Sequence, residues 1–91
     1  MAITVKLPTQ LRDAAAGAQV VAVDGATVRD ALESLFAAHA ELRERLCDES
    51  GAVRRFVNVY VDGEDIRFGE DLATPLSDGA QIQVLPAVAG G

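Results

Sequence analysis

Apolar and polar residues alternate from the start of the chain. Ile3, Val5 and Leu7 fall on one side, Thr4 and Lys6 on the other. A period of two marks a half-buried strand. Pro8 ends it, having no amide to donate to a central ladder. Gln10 to Gly17 is Ala-rich, closes in glycine and reads as a connection. A second strand is expected over Gln19 to Val23, before the Asp24-Gly25 break. At Thr27 the period changes. Val28, Ala31, Leu32, Leu35 and Phe36 recur at helical spacing, with Arg29, Glu33 and Ser34 away from them. The Thr27 hydroxyl can cap the first turn, and Asp30 stands where a capping box places its carboxylate. The helix is predicted to run to about His39. Glu41 to Leu46 adds a turn or two with Leu42 and Leu46 on one face, and Asp48 to Gly51 is a loop.

Arg55 to Val61 is the strongest strand, with Val57, Val59 and Val61 on one face. Asp62-Gly63 suits the positive φ of a tight hairpin turn, and a return strand is expected over Ile66 to Phe68. Gly69 to Gly79 is a turn-rich loop whose Leu72 and Leu76 plug the edge of the core. Gln81 to Leu85 is the last strand, with Ile82 and Val84 on one face; Pro86 stops it. This order predicts an α+β domain over residues 1–86, one main helix on a mixed sheet of about four or five strands. Residues 87–91 form a flexible Gly-Gly tail.

Composition narrows what such a domain can do. With 91 residues, 49% of them hydrophobic, and a net charge of −6, the chain is a single folded domain rather than a disordered one. It is too short to hold a deep substrate pocket of its own comfortably, so a part in catalysis would be that of a substrate or a subunit rather than an enzyme. The 14 acidic residues against 8 basic ones disfavour nucleic acid and favour a basic protein surface as partner. One cysteine excludes an internal disulfide, a Cys-rich zinc site and an iron–sulfur cluster, and fits a reducing compartment. The first residues lack the apolar stretch of a signal peptide, and no run is long enough to span a membrane. A cytoplasmic protein is expected.

The end of the chain is its most informative feature. Two terminal glycines add nothing to packing, and a frayed terminus is the simplest account of them. The functional account is that a carboxyl end entering a narrow active site must be thin and extended, and glycine brings no Cβ to clash. From Pro86 to Gly91 the backbone reaches at most about 16–20 Å.

Pro75-Leu76-Ser77-Asp78-Gly79, then a strand, then Leu85-Pro86-Ala87-Val88-Ala89-Gly90-Gly91, resembles the carboxyl half of the ThiS/MoaD family of ubiquitin-like, β-grasp sulfur carriers. Phe56-Val57-Asn58-Val59-Tyr60-Val61-Asp62-Gly63-Glu64-Asp65 resembles the strand–turn–strand before it, and the likeness covers essentially the whole chain. Within the family it resembles the CysO branch of cysteine biosynthesis, on the FVN-YV segment, the Arg67-Phe68 pair and the LPAVAGG end. The resemblance implies that an E1-like enzyme of MoeB, MoeZ or ThiF type adenylates the Gly91 carboxylate with ATP. Sulfur then displaces AMP to leave a thiocarboxylate. Partners would be that enzyme, a sulfur-accepting synthase and a tail-processing hydrolase. The sulfur would go to cysteine, with thiamin or thiolated secondary metabolites as other acceptors. No cofactor would be bound. The small subunit of a molybdopterin-synthase-like enzyme and a ubiquitin-like protein modifier are alternatives that need the same carboxylate.

Other residues carry weaker signals. Cys47 follows the short helical stretch, and Asp48 and Glu49 beside it would raise its pKa, so it reads as structural, with a disulfide-linked dimer as the alternative. His39 has no second ligand at metal spacing and reads as a helix-terminal histidine. Asp62, Glu64, Asp65, Glu70 and Asp71 read either as a solvated face or as a surface that recognises a basic groove. Arg43, Arg45, Arg54 and Arg55 would offset them. Gly63, Gly69 and Gly79 are too dispersed for a phosphate loop. Leu85 points opposite to Ile82 and Val84 by strand alternation. With Pro8, Ile66 and Phe68 it would form a docking patch beside the tail residues Val88, Ala89 and Gly90, or these residues would simply cover the core's edge.

Overall fold

The computed structural model describes residues 2–55 and 57–86. The tail, with Val88, Ala89, Gly90 and Gly91, lies outside the described residues, as does Phe56 inside an expected strand.

Five strands form one sheet: β1 (Ala2–Lys6), β2 (Val20–Asp24), β3 (Val57–Val61), β4 (Glu64–Asp65) and β5 (Gln81–Pro86). Their order is β2-β1-β5-β3-β4. Only β1 and β5 run parallel; β1–β2, β3–β5 and β3–β4 are antiparallel. Three helices accompany them: α1 (Thr9–Arg12), α2 (Val28–Ala38) and α3 (Ala40–Leu46). The sheet is mixed because its two hairpin-like halves meet along β1 and β5, and α2 bridges those halves. This is the expected β-grasp architecture.

Strand alternation decides which face is covered. Ile3, Val5, Leu7, Val57, Val59, Ile82 and Val84 are all buried and pack with Val28, Ala31, Leu32, Leu35 and Phe36 of α2 and with Leu42 and Leu46 of α3. Helix α2 begins as its sequence predicts: the Asp30 amide donates to Thr27 Oγ1 at 3.2 Å. His39 leaves helical geometry at φ −138° and joins α2 to α3. Its amide still donates to the Leu35 carbonyl, and its own carbonyl accepts from Leu42.

Two expectations are corrected. The connection over Gln10 to Gly17 holds α1 followed by a 3₁₀ turn at Asp13–Ala15. Leu11, Ala14 and Ala15 are spaced to bury one side of it, and Ala16 and Gly17 close it in left-handed geometry at φ 56° and 85°. The return strand expected over Ile66 to Phe68 is instead the two residues Glu64–Asp65; Ile66–Phe68 is a 3₁₀ turn. Asp65 causes the switch, since its carboxylate accepts the Arg67 amide at 2.9 Å and caps the turn. Asp62 and Gly63 take the expected hairpin geometry at φ 48° and 91°. In the loop that follows, Leu76 is buried and Leu72 is packed against the core's edge.

Candidate functional site at the sheet end that releases the tail

Strand β5 lies in the middle of the sheet, so the tail begins from a strand held on both sides. Thr4, Val5 and Lys6 pair with Gln81, Ile82 and Gln83, while Val57 and Asn58 pair with Pro86 and Leu85. The Leu7 amide extends the β1–β2 ladder by donating to the Gln19 carbonyl, and the chain turns away from β5 at Pro8. The departure opens a groove of about 280 Å³ beside the end of β5, lined by Lys6, Pro8, Arg12, Gln83 and Leu85 among others.

Arg67 fixes the other side of the exit. Its guanidinium donates to Asn58 Oδ1 at 2.7 Å, to the Val57 carbonyl at 2.6 Å and to the Arg55 carbonyl at 3.1 Å. These groups stand at the start of β3, opposite the last residues of β5. One side chain therefore ties the 3₁₀ turn to the strand that pairs with the root of the tail.

The residues of the expected docking patch differ in exposure. Leu85 is 37% exposed and Phe68 is 92% exposed. They are linked through Arg67, which precedes Phe68 and binds Asn58, the register partner of Leu85. Pro8 meets Leu85 across the groove. Ile66 does not belong to this surface. It is only 4% exposed and packs into the core, because the 3₁₀ turn points it inward where a strand would have pointed it out. Alternation missed this because a two-residue strand leaves no period to read.

The face of the sheet away from the helices carries Val20, Thr4, Lys6, Gln81, Gln83 and Leu85. Val20, 49% exposed and paired with Lys6, is an apolar member of this face that sequence reasoning left out. The signal for it was available in the alternation of Val20 with the half-buried Val21 and Val23.

Charge is distributed differently from expectation. Arg43 pairs with Glu33 at 2.7 Å, Arg45 with Asp13 at 3.1 Å, and Arg54 donates to the Glu44 carbonyl. These arginines serve the helices rather than offsetting the hairpin acids. Asp62 and Asp65 are engaged with backbone amides of Gln81 and Arg67, so neither is a spare surface charge. Arg43 holds the Glu33 carboxyl below its ordinary range by direct hydrogen bonding.

Cys47 is buried, and burial pushes its thiol above the usual range, with Glu33 and Asp48 adding to the effect against Arg43 and Arg54. A high pKa and a covered sulfur both slow alkylation. Iodoacetamide at neutral pH should therefore label Cys47 at least about tenfold more slowly in the folded chain than in denaturant, read by intact mass. Equal rates would show that the thiol is open. Among the described residues no group of His, Cys, Asp or Glu is arranged to hold a metal, and no helix is long and apolar enough to cross a membrane.

Comparison with known proteins matches this arrangement end to end. The ThiS family profile matches residues 5–91. The sulfur carrier protein CysO of Mycobacterium tuberculosis is 44% identical over 93 residues, covering all of both chains. A chain of the Amycolatopsis orientalis BexX/CysO complex superposes with a TM-score of 0.90 at 42% identity, covering 98% of this chain and 99% of that one. SAMP1 of Haloferax volcanii superposes with a TM-score of 0.87 at 32% identity, over the whole of both chains.

Proposed function

This chain belongs to the ThiS family, and from that premise we propose that it is a sulfur carrier whose Gly91 carboxylate is adenylated and then thiolated. The carrying observation is a Gly-Gly end that follows a central strand within five residues of sequence, in a chain similar to CysO over its full length. A carboxylate oxygen is a poor leaving group; joining it to AMP makes the acyl carbon open to sulfide. An E1-like enzyme of the MoeB, MoeZ or ThiF type supplies that step with ATP. The thiocarboxylate then gives its sulfur to an acceptor bound by a second enzyme, with cysteine formation as the leading route. The chain contributes the reactive atom and the surface by which partners recognise it.

The test is intact mass after incubation with such an enzyme, ATP and a sulfur donor. One oxygen should be exchanged for sulfur, and tandem fragmentation should place it on Gly91. No exchange with any enzyme of this class, or exchange elsewhere, removes the proposal.

A second reading is kept because a whole-chain match to SAMP1, a small archaeal modifier protein, favours it. As a modifier the chain would leave a Gly91 isopeptide on lysines of other proteins. Peptide mapping of adducts separates this from sulfur transfer, since a carrier leaves none.

Docking is proposed to use Leu85 and Phe68, the large apolar side chains exposed near the exit. Phe68 is presented on a turn whose neighbours are immobilised, Ile66 in the core and Arg67 by its three hydrogen bonds. A turn whose backbone is already held loses less entropy on binding than a free loop would. Phe68→Ala should weaken binding to the activating enzyme by about 2 kcal/mol, near thirtyfold, as for an aromatic hot spot. The melting temperature should not fall, because the ring is almost wholly in solvent. Titration calorimetry with unchanged affinity would take Phe68 out of the interface.

A further inference from the structure

The basic residues of this chain are unevenly chosen: seven are arginine and one, Lys6, is lysine. The distinction matters to a protein whose carboxyl end is activated. A lysine amine can lose a proton and attack an acyl carbon, whereas a guanidinium stays protonated and does not. A surface built from arginine keeps positive charge while offering an acyl adenylate almost nothing to react with. Lys6 is the one exception among the side chains.

Its position is equally specific. Lys6 ends β1, which runs parallel to β5. The parallel direction puts Lys6 toward the end of the sheet where β5 finishes, where an antiparallel pairing would have put it at the opposite end. Lys6 pairs with Gln83, so Pro86 is three residues further along the neighbouring strand, about 11 Å away. The five residues after Pro86 span at most about 16–18 Å, so Gly91 can reach back to the amine. The side chain is exposed, lines the groove shared with Leu85, and makes no hydrogen bond or ion pair among the described residues.

Resting on the activated Gly91 of the preceding section, we propose that Lys6 is an internal acyl acceptor, closing an isopeptide with Gly91 of the same chain when sulfur is withheld. Lys6 Nζ forms the new bond to the Gly91 carbonyl carbon. The bond from that carbon to the AMP oxygen breaks, AMP leaves with the electron pair, and the protons lost from the amine go to water. Sulfide and Lys6 thus compete for one acyl group, and the ring that results ends the carrier's ability to accept sulfur.

Two preparations test this. The first is the chain bearing a Gly91 thioester made by intein cleavage, which needs no activating enzyme. It should convert to a monomer lighter than the free acid by one water, with a Lys6–Gly91 cross-linked peptide, at a rate independent of protein concentration. In Lys6→Arg the lighter species should be absent and the thioester should survive about tenfold longer, reflecting the loss of a well-placed intramolecular nucleophile. Simple hydrolysis in the parent chain, a covalent dimer, or a lighter species that persists in Lys6→Arg would each overturn the inference. The second is the free acid with an activating enzyme and ATP but no sulfur donor, where the same ring should form. Absence of ATP–pyrophosphate exchange there counts against the adenylation reading alone, because the thioester decides Lys6 independently.

Discussion

Removing Gly91 is expected to abolish thiocarboxylate formation completely while leaving the fold intact. The described core residues all precede Pro86, so no buried contact among them depends on the last residue. The melting temperature of the shortened chain should therefore match that of the parent. Activity should not migrate to another carboxylate: the Gly90 carboxylate that then ends the chain falls one residue, about 3.5 Å, short of the reacting centre, and a side chain on the folded surface cannot thread into a narrow channel. Nor should sulfur appear on Cys47, which is covered and holds its proton firmly. A milder change, Gly90→Val, keeps the carboxylate but adds a branched side chain beside it, and should slow thiolation by about 100-fold, the scale expected when a reacting group is misplaced by an ångström. Quantifying the sulfur-for-oxygen mass change over time checks both. Persistence of the change without Gly91 would show that the chemistry lies elsewhere.

The largest effect on stability is expected at Gly25, in the tight entry to α2. An added Cβ there would lie 2.5 Å from the Ala31 amide nitrogen and 2.9 Å from its Cα. Both are backbone atoms of α2 and cannot swing aside as a side-chain tip could. The surrounding segment is also tied down. The Val28 amide donates to the Thr74 carbonyl, and the Leu76 amide to the Ala26 carbonyl. Gly25→Ala should cost about 2–3 kcal/mol, the scale of overpacking in a dense core. For a domain of this size that lowers the melting temperature by about 10–20 °C. Urea denaturation measures it directly, and a loss below about 0.5 kcal/mol would show that the first turn of α2 can move away. The strain lies across the sheet from the tail exit, so Gly25→Ala should still accept sulfur at temperatures where it remains folded.

Much of the fold was legible because long elements carry their period openly. Val57, Val59 and Val61 announce β3, and Val28 through Phe36 announce α2, since each must bury one side against the other. The short elements were not legible. Between Thr9 and Ala15 the alanine-rich run has too little length to show a helical stripe, and its burial comes from packing beneath α3 and the sheet. At Ile66 the decision between strand and turn rests on one carboxylate, Asp65, reaching one amide, Arg67. That competition is local in space but invisible to periodicity.

The sequence by itself determined the class of fold, the capped helix and the hairpin at Asp62-Gly63, because each depends on residue type and on near neighbours in the chain. Only the tertiary structure decided what surrounds the exit. Ile66 turned inward, Phe68 stayed in water, Arg67 closed on the start of β3, and Lys6 came to the same end of the sheet as the last residues of β5. The first three turn on the contact of Asp65 with Arg67, and the last on the parallel pairing of β1 with β5, strands some 75 residues apart in the chain. A contact of that range is set by how the two halves bury their common face, which no local pattern of residues records.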